Sequence, residues 1–306
     1  MKKGTEKYQI HPDLKITNPD KPLWKDPHYT KESYIAYLIQ VAPLILPFLE
    51  NRALTVIRYP HGIPGESFYQ KNCPEYAPSF VHAEKIEDNN YILCNDLSTL
   101  IWLGNQSSIE FHVPFQPIDS NIPAEIVIDL DPPNRDRFPL AIKAAQEIKV
   151  IIDSFKIRGY PKLSGNKGIQ IHIPLKGTSL SYDETRLFTG FIAEYLVERF
   201  PNDFTIERLK KNRDNRLYID YIQHAEGKTI ICPYSTRGNE YATVATPLFW
   251  EEVNDRLKVD KYNISYVLKR INNKENPMED FFVQENPTLL NIVASLKEKQ
   301  KKLGQN

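Results

Sequence analysis

Cysteine is scarce. Cys73, Cys94 and Cys232 are odd in number, far apart and never spaced as Cys-x-x-Cys, which excludes a disulfide framework and argues against a structural zinc site. Glycine is scarce as well, 12 residues against 23 prolines, so the loops read as stiff and leave little from which to build a glycine-rich nucleotide cradle. No GxGxxG, GxSxG or HExxH occurs, and dinucleotide-binding, serine-hydrolase and zincin chemistry have no local support. Gly227-Lys228-Thr229 looks like the end of a Walker A loop, but Ile222 stands where its upstream glycine belongs. Net charge is missing too: 39 Lys+Arg balance 39 Asp+Glu, so any nucleic-acid surface must come from local clustering of basic groups. The one long apolar stretch, Tyr34 to Leu49, carries Gln40, Pro43 and Pro47 and falls short of the roughly 20 residues a membrane helix needs. The N-terminus has basic residues with no apolar run behind them, so no secretory or transit signal is visible and the cytoplasm is the expected compartment.

What remains is a 306-residue chain with 41% hydrophobic and 25% charged residues, an ordinary globular composition with length for one large domain or two fused lobes. Thr30 caps a helix over 30–50 with Tyr34, Tyr37, Leu38, Val41, Leu44 and Ile45 at helical spacing and a proline-marked end. Residues 53–59 read as a strand. In 108–115, Ile109, Phe111, Val113 and Phe115 alternate with Glu110 and His112, placing His112 on the non-core side. In 125–133, Ile126, Ile128 and Leu130 oppose Val127, Asp129 and Asp131 before Pro132-Pro133. An amphipathic helix follows over 139–155, with Gly159 just past its end. A turn at Ser164–Gly168 then leads into a strand with Ile169, Ile171 and Ile173 inward and Gln170 and His172 outward. Ser181 caps a helix over 182–200; 216–223 and 228–234 read as paired strands across His224–Gly227; 246–303 is mainly helical. Strands and helices alternate irregularly, which predicts an α+β fold with mixed sheets, in two lobes meeting at a cleft.

Asp129-Leu130-Asp131 is the strongest bare signal. Carboxylates at i and i+2 of a strand project from one face about 7 Å apart and can converge on divalent cations, oxygen ligands suiting Mg²⁺ or Mn²⁺. Chance alone supplies on the order of one such motif in a chain of this composition, and a polar strand end reads the same way. Asp220 adds weight, because a lone carboxylate on an apolar strand face needs a cation, either an arginine or a metal. Lys210, Lys211, Arg213 and Arg216 precede it and Arg237 follows. The Ser164-Gly165-Asn166-Lys167-Gly168 turn can offer backbone N–H groups, a hydroxyl and an ammonium to phosphate oxygens. Acid-held metals beside cationic phosphate ligands are the general equipment for phosphoryl or nucleotidyl transfer.

From about Lys15 to Ile271 the blocks TNPDKPLW, YTK, TVIRYPHG, SFYQKN, LIWLGNQSSIEFHVPF, VIDLDPP, SGNKGIQIHIPL, LYIDYIQ and KTIICPYSTRG resemble, in order, the polymerase domain of bacterial ATP-dependent DNA ligase D, of the archaeo-eukaryotic primase superfamily. The resemblance implies a primase-like catalytic core with sheets facing a cleft, and a nucleotidyltransferase of non-homologous end joining that favours ribonucleotides. It implies that Asp129 and Asp131 hold two Mn²⁺ or Mg²⁺ ions and that Asp220 is the third catalytic carboxylate. His112, Ser164, Lys167, Arg213, Gln223 and Arg237 match positions that bind the incoming NTP or dNTP, chiefly its triphosphate. Lys21 and Lys31 match lysines that grip a downstream 5′-phosphate at a DNA gap or break, and Phe68 and Tyr69 match an aromatic pair stacking near template bases. Gln170 stands where many relatives have His, His172 where they have an aromatic residue, and Ile57 where some carry a basic phosphate ligand. The expected organisation is a catalytic domain over 1–275, two intimately packed lobes, with a helical extension over 276–306. There is no KxDG ligase motif; were the sequence complete, sealing and trimming would fall to other proteins, with Ku and an ATP-dependent ligase as partners in trans. A primase that starts chains de novo, a DNA end-binding scaffold with a vestigial site, and a nucleotide-sugar glycosyltransferase remain alternatives.

Overall fold

Alternating isoleucines at 126, 128, 169, 171 and 173 have no exposed surface, and the two strands that carry them lie side by side. A computed structural model describes residues 6–273 and 276–303. In chain order the elements are β1 (Pro22–Trp24), β2 (Tyr29–Thr30), α1 (Lys31–Leu49), β3 (Thr55–Arg58), β4 (Phe68–Gln70), β5 (Ala83–Ile86), β6 (Asn89–Ile92), α2 (Leu97–Asn105) and β7 (Ser108–Pro114). Then come β8 (Glu125–Asp131), α3 (Phe138–Ser154), β9 (Tyr160–Leu163), β10 (Ile169–Pro174), α4 (Tyr182–Arg199), β11 (Phe204–Thr205) and β12 (Leu217–Asp220). The last are β13 (Thr229–Ile231), α5 (Ile264–Asn273) and α6 (Thr288–Leu303). These build two units: unit 1 from the described residues of Met1–Asp119, Thr229–Thr246 and Lys258–Asn276, and unit 2 from those of Ser120–Lys228, Pro247–Leu257 and Pro277–Asn306. The domain boundary expected after residue 275 falls at 274–275, outside the described residues.

Unit 1 holds a sheet ordered β13-β7-β3-β4 and the buried helix α1, which packs on α2. Thr30 caps α1 by accepting the Ser33 N–H. Pro43 and Pro47 lie inside the helix and do not end it. An interior proline costs about 3 kcal/mol, and burial of Leu38, Val41, Ile45, Leu46 and Leu49, at about 1.5–3 kcal/mol per side chain, outweighs that. By length and composition α1 could cross a membrane, but most of its large apolar side chains are buried within the protein, and the buried phenols of Tyr34 and Tyr37 donate to the carbonyls of Ser108 (2.8 Å) and Tyr234 (2.6 Å).

Unit 2 is a sheet ordered β11-β12-β8-β10-β9. Helices α3 and α4 pack on it, α3 over the isoleucine face: a Cβ on Gly159 would meet Ile152 of α3 at 2.8 Å and Ile173 and Ile171 at 3.3 and 3.4 Å. Gly159 is thus a close-packing residue; the left-handed position that ends α3 is Lys156, φ 57°, with the Ile157 N–H returning to the Ile152 carbonyl at 2.8 Å. The opposite face is polar, bearing Glu125, Asp129, Asp131, Gln170 and His172. His172 was expected to face outward; it is fully buried, because the Phe281 ring covers it at 6.4 Å, and its Nδ1 lies 2.7 Å from Glu125 Oε2. The expected hairpin of 216–223 with 228–234 does not form. Both edges of β12 are taken, by β11 and β8, so β13 has no edge to join there and pairs with β7 in unit 1.

His224 is buried in unit 2 with Nε2 2.8 Å from Thr185 Oγ1, and burial lowers its pKa from 6.5 to about 4. The folded state keeps the ring neutral while the unfolded chain protonates it, so stability present above pH 6.5 is lost as pH falls toward 4. Urea denaturation between pH 7 and 4 should show this loss, on the order of 3 kcal/mol, and His224→Gln should flatten that slope.

Candidate active site

The polar face of the unit 2 sheet places one residue from each of four strands in a row. Asp220 of β12 is the direct partner of Asp129 on β8; Asp129 is partnered on its other side by Gln170 of β10, and Gln170 by Lys162 of β9. Directly paired residues share a face, so the row is chemical as well as topological. The fully buried Lys162 donates from Nζ to Gln170 Oε1 at 2.6 Å, and Gln170 Nε2 donates to Asp129 Oδ1 at 3.0 Å. Asp131 joins from two residues along β8. Burial and the charges of Asp131 and Asp220 push the Asp129 carboxyl up to about 7, against the opposing bond from Gln170. Asp220 is also raised, by burial first, although the Tyr218 hydroxyl and the Gln223 N–H (3.0 Å) both donate to it.

Cations surround Asp131. Lys167 Nζ lies 3.0 Å from its Oδ1 and Arg213 Nη1 3.7 Å from its Oδ2. Arg213 stacks its guanidinium 3.8 Å over the Tyr218 ring and donates to the carbonyls of Glu207 and Arg208, both at 2.9 Å. Lys167 reaches Asp131 because its turn lies flat on β8: a Cβ on Gly168 would stand 2.3 Å from the Leu130 carbonyl oxygen, so only glycine allows that approach. Ser164 Oγ holds the turn by accepting the N–H groups of Asn166 (3.3 Å) and Gly168 (3.0 Å). Within unit 2 the fold therefore gathers Asp129, Asp131, Asp220, Ser164, Lys167, Arg213 and Gln223 at one end of one sheet face.

The other expected residues sit in unit 1, at three places. Glu110 of β7 accepts from His112 Nε2 (2.9 Å) and Arg237 Nη1 (3.0 Å) on its Oε2 and from the Gly238 N–H (2.8 Å) on its Oε1. Burial alone would push the Glu110 carboxyl up; His112, Arg237 and Gly238 together hold it below the usual range. Lys31 is buried at the start of α1 and donates to the Thr17 carbonyl (2.6 Å) and to Asn105 Oδ1 (3.3 Å); Lys21 donates to the Pro60 carbonyl. Burial first, and then the nearby Lys21 charge, lower the Lys31 pKa. Phe68 and Tyr69 on the edge strand β4 are 45% and 72% exposed, large apolar rings left open to a stacking partner. Arg58 braces that strand, 5.3 Å from the Phe68 ring centroid and bonded to Gln70 (2.8 Å) and the Tyr76 hydroxyl (3.1 Å).

Sequence reasoning missed Lys162, Gln170, Tyr218 and Glu110 as site residues. For Lys162, Tyr218 and Glu110 the only signal is a polar residue two positions from a chosen one, as Glu110 is from His112 and Tyr218 from Asp220; Gln170 has no such neighbour. Among the described residues no group of three or more His, Cys, Asp and Glu side chains is gathered closely enough to hold a metal ion as placed. The donor chemistry fits one nonetheless: the carboxylates offer only oxygen ligands on a single face, and Asp129 and Asp220, raised by burial and then by neighbouring negative charge, would be relieved of that repulsion by a hard dication among them.

Residues 30–278 match the family described as LigD, primase-polymerase domain. The chain is 55% identical over 292 residues to the bifunctional non-homologous end joining protein LigD of Bacillus subtilis, covering 95% of this chain and 48% of that protein. It is 30% identical over 259 residues to the multifunctional non-homologous end joining protein LigD of Mycolicibacterium smegmatis, covering 82% of this chain and 34% of that one. The chain thus spans about half the length of the first relative and a third of the second. A solved polymerase domain of Mycobacterium tuberculosis ligase D, in complex with DNA, superposes with a TM-score of 0.82 at 25% identity, over 90% of this chain and all of that one. The strand-borne carboxylates and the cations beside them therefore sit on a shared primase-like α+β fold, and the chain belongs to the LigD primase-polymerase domain family of nucleotidyltransferases.

Proposed function

We propose that this chain is a repair polymerase of bacterial non-homologous end joining, adding nucleotides, ribonucleotides by preference, to a primer 3′-end at a DNA gap or break. The observation that carries the reading is the row of Asp220 beside Asp129, with Asp131 on the same face and Lys167 and Arg213 against it. In this reading Asp129 and Asp131 would hold two Mn²⁺ or Mg²⁺ ions, with Asp220 as the third carboxylate of the site. Bound there, such ions would supply Lewis acidity for nucleotidyl transfer.

The chain's own residues do the rest. Lys167, Arg213 and the Ser164 turn neutralise and orient triphosphate oxygens as charge moves onto the leaving pyrophosphate, joined by Gln223, whose N–H holds Asp220. His112 and Arg237 offer a second phosphate-binding pair. Lys21 and Lys31 take the downstream 5′-phosphate, and Phe68 and Tyr69 stack on bases with little sequence preference. Ku and an ATP-dependent DNA ligase are the partners this role requires, and the cytoplasm, at the nucleoid, is where it is carried out.

Primer extension on a gapped duplex, with and without a downstream 5′-phosphate, with ribonucleotides or deoxyribonucleotides and Mn²⁺ or Mg²⁺, tests the proposal. Metal-dependent extension enhanced by the phosphate is expected; phosphate-dependent binding without incorporation would move the reading to a scaffold. Asp129→Asn should lower extension by about a hundredfold or more. Because it removes a charge the fold already disfavours, its Tm should hold or rise by a few degrees, about 1 kcal/mol. A melting temperature that falls together with activity would count against the metal assignment. Lys21→Ala should erase the gain from the 5′-phosphate while leaving extension on the unphosphorylated gap unchanged; an intact gain would remove Lys21 from that pocket.

A further inference from the structure

Glu110 is an acid in a place where the proposed chemistry needs cations. It lies on β7 two residues before His112, on the same strand face, with its side chain 7% exposed. A carboxylate so withdrawn from water is costly unless its lone pairs are filled, and here they are: His112 and Arg237 both donate to Oε2, at 2.9 and 3.0 Å, and the Gly238 N–H donates to Oε1 at 2.8 Å. Two donors from separate segments, β7 and the stretch after β13, are thereby brought to one oxygen atom. The carboxylate also fixes chemistry. As an acceptor it requires the hydrogen on His112 Nε2, leaving Nδ1 and the outer edge of the Arg237 guanidinium as the groups free to meet a ligand. His112 and Arg237 keep 16% and 21% of their side-chain surface exposed, so those edges are reachable. The Arg237 guanidinium meets the carboxylate's charge and the shared oxygen keeps the pair from splaying apart, while the His112 Nδ1 donates to a phosphate oxygen when it carries a hydrogen of its own.

We propose that Glu110 is a positioning residue for nucleotide binding, which clamps His112 and Arg237 side by side as one two-pronged site for triphosphate oxygens. This rests on the reading of His112 and Arg237 as triphosphate ligands given above. The role belongs to Glu110 through its charge and its shared oxygen. In Glu110→Gln the side chain keeps its shape, but a single amide oxygen replaces the anion: if it accepts from Gly238 the N–H₂ faces both the His112 and the Arg237 donors, and if it accepts from those two the N–H₂ faces the Gly238 N–H. Either way the two prongs lose the shared charge that holds them together.

Steady-state primer extension and pyrophosphate inhibition on Glu110→Gln, His112→Gln, Arg237→Gln and the double variant Glu110→Gln with His112→Gln test this. Glu110→Gln should raise the nucleotide KM and weaken pyrophosphate inhibition about tenfold, with kcat at saturating nucleotide, affinity for 5′-phosphorylated gapped DNA and Tm little changed. The double variant should be less impaired than the sum of the two single ones, because Glu110 acts in part through His112 and in part through Arg237. If the His112 and Arg237 variants raise KM but Glu110→Gln does not, the proposal is overturned and the triphosphate reading survives. If the His112 and Arg237 variants leave KM unchanged, the triphosphate site itself is wrong. A fall in Tm and kcat at unchanged KM makes Glu110 a packing residue and also overturns the proposal. Should Glu110→Gln fail to fold, Glu110→Asp, which keeps the charge but withdraws it by one methylene, should show the same rise in KM, and an unchanged KM there overturns it too.

Discussion

Like charges crowded onto one face of a sheet are the constraint around which unit 2 is arranged. Asp129 and Asp220 are direct partners across two strands and Asp131 stands two residues on, in surroundings that raise the pKa of Asp129 and Asp220. No stability is gained from such a cluster by itself. The neighbouring groups offset it piece by piece: Gln170, oriented by the buried Lys162, donates to Asp129; Tyr218 and the Gln223 N–H donate to Asp220; Lys167 and Arg213 flank Asp131. The isoleucine face behind, sealed by α3, supplies the apolar burial that lets the sheet carry so much charge on its other side.

The cations are treated with equal care. Each is fixed by acceptors of the fold before it could meet a ligand: Arg213 by the carbonyls of Glu207 and Arg208 and by the Tyr218 ring, Lys31 by Thr17 and Asn105, Arg237 by Glu110. A long, flexible basic side chain loses about 2 kcal/mol of rotamer freedom when immobilised, and here folding, not binding, bears that cost. Such preorganisation is what sites that stabilise developing charge require.

Much of this was legible in the sequence, and the limits have physical causes. Period-2 alternation put Asp129 and Asp131 on one face of β8, because strand geometry leaves no other choice, and the same rule put His112 opposite the core residues of β7. Alternation says nothing, however, about which strand lies beside which. Hence the 216–223 segment was expected against 228–234, when both edges of β12 are occupied within unit 2. Nor does it report what covers the second face of a sheet. His172 looks outward by pattern and is buried, with Phe281, more than a hundred residues away, packed against it. Pro43 and Pro47 looked like the end of a helix since local propensity was the only guide there, and tertiary burial overrides it in α1. Glu110 and Lys162 went unnoticed because each works through a residue of another segment.

Each unit is assembled from three separate stretches of chain, with the polypeptide passing from one to the other near residues 119, 228, 246, 257 and 276. Neither is therefore a heritable module. No single cut yields one of them whole, and recombination at one point cannot exchange it between relatives. On the ribosome, unit 1 is completed only by the segment ending at 276 and unit 2 only by residues from 277 onward, so neither can be finished before the other is nearly made, unlike sequentially arranged domains. The protein is made, and must be inherited, as one piece.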